Sequence, residues 1–216
     1  GMVNVKEKLL IMEDFKHYKL FPTHVFSFKG QGVNDKEMLE YFDKEIKKTS
    51  GNKSLNWQSN PELHTNPVFQ ALVNNIMEAT KLACDAIKLD TSYKLEITNM
   101  WGNVLQQNEC HPPHTHSNNV WSGTYYITDS PAQSSIQYFI GHQQSQVLLP
   151  RVSEQNLDNG NLIGFPSEKG RGYVFPSWLT HWVPPHPDKK PRVSVAWNII
   201  LRGEYGYAND FQYAKI

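Results

Sequence analysis

Residues 192–201 read Arg-Val-Ser-Val-Ala-Trp-Asn-Ile-Ile-Leu. Successive side chains of a strand point to opposite faces, so Arg192, Ser194, Ala196 and Asn198 share one face and Val193, Val195, Trp197 and Ile199 the other. The apolar face has to pack against something. On an outer strand the polar face would simply meet water. Lining the inside of a barrel, it would bury an arginine, and an unpaired buried guanidinium is costly enough to call for an anion, best a carboxylate matching its fork.

Working outward, residues 93–106, 120–128, 136–140 and 173–176 are further short runs rich in Tyr, Ile, Val, Thr and Trp, broken by Gly, Pro, Asn and Ser. They read as strands, and with no helical pattern between them they predict an antiparallel sandwich, barrel or jelly roll rather than a parallel sheet. Upstream, two helices are expected. One opens at the capping residue Asn34 and repeats Leu39, Phe42 and Ile46 before Gly51. The other opens at Asn66-Pro67 and carries the stripe Leu72, Ile76, Ala79, Ala83 and Ile87 to about Leu89. The fold class is therefore mainly β with flanking helices (α+β). Cys84 sits within the second stripe and reads as a small buried thiol rather than a nucleophile. Residues 129–160 hold six glutamines and read as a hairpin plus a long surface loop suited to a lid.

The length of 216 residues predicts a single domain: a helical amino-terminal part over about 20–90, a β core over about 93–203 and a tail over 204–216. Hydrophobic residues at 39% and charged residues at 19% describe an ordinary globular chain. Twenty-one basic residues balance twenty-one acidic ones, so the broad positive field of a duplex binder is missing and nucleic acid is not the expected partner. Two cysteines, Cys84 and Cys110, suit a reducing compartment. No run is long and apolar enough to cross a bilayer, and residues 2–8 lack a signal-peptide core, so a cytoplasmic protein without a membrane partner is expected. A phosphate-binding glycine loop is also missing. Homo-oligomerisation is left open.

Of nine histidines, three fall within the segment Glu109-Cys-His111-Pro-Pro-His114-Thr-His116. In an extended segment His114 and His116 point to one side and can chelate a metal, with His181, after Phe175-Pro-Ser-Trp-Leu-Thr180 at the end of a later strand, as the third ligand. A spaced pair of histidines beside a proline turn could equally be an ordinary surface feature. The arginine strand that follows changes the balance toward a metal beside a carboxylate site.

Four segments, His114-Thr-His116, Trp121-Ser-Gly-Thr-Tyr-Tyr-Ile127, Gly172-Tyr-Val-Phe-Pro-Ser-Trp-Leu-Thr-His181 and Arg192-Val-Ser-Val-Ala-Trp-Asn198, resemble the iron(II)- and 2-oxoglutarate-dependent oxygenases. They are most similar to a prolyl-hydroxylase-like subgroup of bacteria and phages. The resemblance spans about 93–201, with weaker matches at Phe21-Pro22 and Trp57-Gln58-Ser59. It implies a double-stranded β-helix (jelly roll) buttressed by amino-terminal helices. It also implies His114 and His181 as iron ligands, Arg192 and Ser194 on the far carboxylate of 2-oxoglutarate, and Tyr126 bonding the same carboxylate. Asn103 and Asn198 are expected as further polar groups of the cavity, and Tyr125 as strand packing. The implied activity is hydroxylation of a peptidyl or small-molecule substrate with dioxygen, releasing succinate and CO2.

This chain departs from the family at His116, where most members place Asp or Glu. Three histidines then replace the usual two histidines and one carboxylate and leave more positive charge on the ion. Glu109 could supply a carboxylate and His111 could replace a neighbour, although both precede the Pro112-Pro113 pair, which is expected to redirect the chain. Two other readings stand beside this one: a three-histidine cupin-like dioxygenase that does not use 2-oxoglutarate, and a non-catalytic metal-binding jelly-roll module, for which three histidines and a water would suit zinc.

Overall fold

The computed structural model describes residues 16–49, 56–139 and 150–216. The first helix, α1 (Asp35–Lys48), starts where Asn34 predicts: its side-chain oxygen accepts from the Glu37 amide at 3.2 Å, and Lys47 and Lys48 close the other end. At the second helix the cap works differently. Asn66 accepts from the Val68 amide at 3.0 Å and, with Pro67, opens a short 3-10 turn, after which α2 runs over Gln70–Ala86.

The strands are β1 (Phe26–Lys29), β2 (Trp57–Gln58), β3 (Lys94–Leu105), β4 (His111–His114), β5 (Trp121–Tyr126), β6 (Ile136–Phe139), β7 (Leu162–Phe165), β8 (Arg171–Pro176), β9 (His181–Val183) and β10 (Arg192–Arg202). The expected tail forms a small hairpin, β11 (Glu204–Tyr205) with β12 (Ala214–Lys215). A six-stranded sheet runs β1-β8-β5-β10-β3-β2 and a four-stranded sheet runs β4-β9-β6-β7, with antiparallel ladders in both. This is the predicted jelly roll with helices to one side.

β10 divides as its sequence requires. Val193, Val195, Trp197, Ile199 and Leu201 join Met38 and Phe42 of α1 and Leu72 and Ile76 of α2 in one buried apolar cluster. Each such side chain contributes about 1.5–3 kcal/mol when fully buried. The helix layer lies so close that a Cβ on Gly102 of β3 would collide with the Phe42 ring. On the other side, between the two sheets, Tyr126, Ile136, Tyr138, Tyr173, Phe175 and Leu179 form a second buried cluster.

Two local expectations are corrected. Pro112 and Pro113 do not turn the chain; they lie within β4, whose register with β9 shifts between His111 and His114. Because β4 is an edge strand with an irregular ladder, the missing proline N–H groups cost little there. His181 does not end a strand but begins β9. Of the expected lid, residues 140–149, which include Gln143, Gln144 and Gln146, lie outside the described residues. No described helix is long and apolar enough to cross a membrane.

Candidate active site

The bulged edge strand and the β8–β9 turn assemble three imidazoles. His114, the last residue of β4, pairs with His181, the first of β9. His116 lies two residues further on and is held by its own amide, which donates to the Ser177 carbonyl at 2.9 Å. Ligand-capable atoms of all three residues lie within 4.8 Å of one another.

Two tautomers are set by the backbone. His114 Nδ1 is 2.7 Å from the Pro112 carbonyl and His181 Nδ1 is 2.8 Å from the Leu179 carbonyl. A carbonyl only accepts, so each Nδ1 carries the proton and each Nε2 presents a lone pair. His116 Nε2 stands 3.3 Å from His181 Nε2. Two nitrogens bound about 2.1 Å from one ion at a right angle would be about 3 Å apart, so the pair is already spaced as neighbouring ligands. Burial holds the His181 imidazole down at about 3, with the Leu179 carbonyl opposing and the neighbouring histidines adding to the effect; burial and then His114 hold His116 at about 4. Neutral imidazoles are the form that binds a metal, and the donor set fits a divalent cation of the iron or zinc kind.

The histidines open onto a cavity of about 70 Å³, room for about five or six water-sized groups. Arg192, Ser194 and Asn103 line it, as do Gln58, Thr124, Trp101 and His111. Arg192 is 2% exposed. Its Nε donates to the Ser134 carbonyl at 3.1 Å, its Nη1 to Ser194 Oγ at 3.4 Å, and its guanidinium carbon lies 5.0 Å from the centre of the Tyr126 ring. Burial lowers its pKa from the ordinary value and Tyr126 opposes that shift. Among the described residues no carboxylate is within ion-pair distance of it. Tyr126 is outside the lining, behind Arg192, and its buried hydroxyl makes no well-formed hydrogen bond. A buried cation with an unsatisfied hydroxyl at its side is the arrangement a carboxylate completes.

The remaining expected residues divide. Asn103 accepts from Gln58 Nε2 at 2.9 Å, which makes a joined amide pair in the cavity wall. Asn198 is outside the lining; it accepts from Ser122 Oγ at 2.8 Å, and Ser122 is in turn 2.8 Å from Ser177 Oγ. Glu109 spends its carboxylate on the Gln106 amide at 2.8 Å and takes no part in the metal cluster. Tyr125 faces the helix side and donates to Asp35 at 3.1 Å. Cys84 is a free thiol raised by burial, a poor nucleophile.

Three residues escaped the sequence reading. Thr124 shares its face with Tyr126, so alternation along β5 could have found it. Gln58 lies in the weakly matching segment Trp57-Gln58-Ser59, but its place in the cavity wall depends on the pairing of β2 with β3. His186 is 1% exposed and ties the site's edge together: its Nε2 is 2.7 Å from the Lys190 carbonyl and its Nδ1 is 3.1 Å from Ser134 Oγ, the residue whose carbonyl holds Arg192. Larger hollows of about 450 Å³ along α2 and about 420 Å³ beside β6 and β7 lie away from the triad, so chemistry rather than size marks the site.

Residues 99–198 match the family model described as "Putative 2OG-Fe(II) oxygenase". The fold is similar to solved structures at low identity. HygX from Streptomyces hygroscopicus, solved with nickel and 2-oxoglutarate bound, is 15% identical over 82% of each chain, with a TM-score of 0.55. AviO1 from Streptomyces viridochromogenes Tue57 is 12% identical over 82% of this chain and 90% of that one, with a TM-score of 0.60. SnoN, a non-heme alpha ketoglutarate dependent epimerase from nogalamycin biosynthesis, is 14% identical over 88% and 83%, with a TM-score of 0.54. No curated protein matches the chain.

Proposed function

We propose that the protein is an iron(II)- and 2-oxoglutarate-dependent oxygenase, the family whose model residues 99–198 match, and that, acting as one unit over 1–216, it hydroxylates a C–H bond of a peptidyl or small-molecule substrate. In the balanced reaction 2-oxoglutarate, dioxygen and R–H give succinate, CO2 and R–OH, with one oxygen atom in the new carboxylate and the other in the alcohol. His114, His116 and His181 would hold iron(II), which when bound supplies the redox chemistry that couples decarboxylation of the keto acid to oxidation of the substrate.

The protein's own part is placement and charge. Three neutral imidazoles leave the charge of a divalent ion uncompensated, so ion and Arg192 both favour a dianion. Arg192 and Ser194 would grip the far carboxylate, and Tyr126 would donate its partnerless hydroxyl to it. The Ser134 carbonyl fixes the guanidinium by its Nε, which keeps the fork aimed. The apolar walls at Ile136, Phe175 and Val183 exclude water from the keto acid. HygX, a structural neighbour, is described with hygromycin B bound as well as 2-oxoglutarate, which supports a small-molecule substrate as readily as a peptidyl one.

The observation that carries this reading is Arg192, a buried cation without a carboxylate partner among the described residues, opening onto the cavity of the triad. The test is co-substrate turnover: purified protein with iron(II), ascorbate and air should convert 2-oxoglutarate slowly to succinate even without substrate. Iron binding without succinate would reject the reading and favour the three-histidine dioxygenase. Tight zinc with neither would favour the non-catalytic module.

A further inference from the structure

Apart from the triad, one more imidazole lines the cavity. His111 starts β4 in the four-stranded sheet, opposite Val183 of β9, and faces the same space as Arg192 of β10 in the six-stranded sheet. It stands outside the metal cluster, separated from His114 by the irregular register of the two prolines. Its Nε2 is buried and has no hydrogen-bond partner. It is close enough to Arg192 to feel the guanidinium charge.

A buried imidazole nitrogen that bonds to nothing is a cost, and in the tautomer that carries the proton on Nε2 it is a donor, which an arginine, itself only a donor, cannot relieve. An acceptor with two oxygens relieves both residues at once. We propose that His111 is a further binding residue for the far carboxylate of a dicarboxylate co-substrate: its Nε2–H donates to one oxygen from the four-stranded sheet while Arg192 holds the carboxylate from the six-stranded sheet. The carboxylate then bridges the two sheets, and affinity for it depends on both. Keto acids lacking that carboxylate leave His111 and Arg192 unpaired, so His111 contributes to selection of 2-oxoglutarate over 2-oxo monocarboxylates. The inference rests on the proposed use of 2-oxoglutarate.

The test measures dissociation constants of the manganese(II)-loaded protein for 2-oxoglutarate and for 2-oxopentanoate, which has the same keto-acid head but no far carboxylate. In the parent, 2-oxoglutarate should bind at least about thirtyfold more tightly. In His111→Phe that preference should shrink about tenfold, the worth of a hydrogen bond to a charged group, with manganese affinity unchanged. His111→Gln, which keeps an N–H donor, should stay within about threefold of the parent. A preference in His111→Phe equal to the parent's overturns the proposal. Should His111→Phe fail to fold, His111→Asn is measured in the same way: its amide is too short to reach, so a preference retained there also overturns it. A parent that binds neither keto acid, or both equally, rejects the use of 2-oxoglutarate before any substitution is made, which separates the two failures.

Discussion

The two faces of β10 lie one residue apart along the chain and answer to different physics. On the helix side Val193, Val195 and Ile199 pack into the apolar cluster with α1 and α2, as does the Trp197 ring, whose indole N–H alone is left without a hydrogen-bond partner. On the cavity side Arg192 has a charge without a counter-charge among the described residues, Tyr126 on the neighbouring strand has a hydroxyl without a partner, and three imidazole nitrogens converge on one point. The helix face is finished when the chain folds. The cavity face needs groups the chain does not carry. Substitutions on one face should therefore cost stability and spare binding, and those on the other should do the reverse.

The largest effect should come from the triad. His181→Ala should reduce stoichiometric metal binding to background and abolish turnover, while the thermal midpoint of the metal-free protein stays within a few degrees of the parent or rises, because a buried imidazole has been removed; metal analysis and calorimetry check this. The opposite face gives the mirror result. Trp197→Ala should cost about 3–5 kcal/mol in urea unfolding, with whatever protein remains folded still binding metal. A Trp197→Ala protein of unchanged stability would break the comparison.

Arg192→Met tests both halves at once. It should weaken 2-oxoglutarate binding at least thirtyfold, the scale of a buried charge pair losing one partner, yet leave the metal-free protein as stable or more so, since an uncompensated buried charge is replaced by an apolar chain. Loss of both would mean that the guanidinium is structural. A pH series sharpens the same point. His111, His116 and His181 titrate near 4, 4 and 3 in the folded chain, below the ordinary 6.5, each chiefly through burial. On acidification the unfolded chain takes up protons first, so stability is full above about 6.5 and is lost as pH falls toward 4. The metal-loaded protein should lose it more steeply, because ligated nitrogens cannot accept protons until the ion leaves; thermal midpoints with manganese and with chelator measure this. The smallest effect expected is that of Ser194→Ala, whose long 3.4 Å bond to Arg192 predicts a loss of 2-oxoglutarate affinity of about threefold to tenfold.

Much of this was legible because it is local. The caps at Asn34 and Asn66, the helical stripes and the alternation of β10 are each decided within a few residues, and the structure follows them closely. What escaped was decided elsewhere in the chain. A Pro-Pro pair argues against a strand, and only the edge position of β4 makes one affordable there, which is why the sequence offers His111 as a substitute for a neighbouring ligand and not as part of the cavity wall. Strands of two to four residues, such as β1, β7 and β9, are too short for a period of two to stand out. His186 and Gln58 owe their places to pairings 45 or more residues distant: His186 with Ser134 and Gln58 with Asn103.

The proposed function joins a metal and a dicarboxylate in one cavity, through the triad and Arg192. It is tested most directly by titrating the metal-free protein anaerobically with iron(II) and then 2-oxoglutarate, following the visible charge-transfer absorption of a chelated keto acid, with Arg192→Ala in parallel. The prediction is a band that needs both additions and that in Arg192→Ala appears only at much higher 2-oxoglutarate. Iron bound through His114, His116 and His181 with no band, or a band indifferent to Arg192, would contradict it.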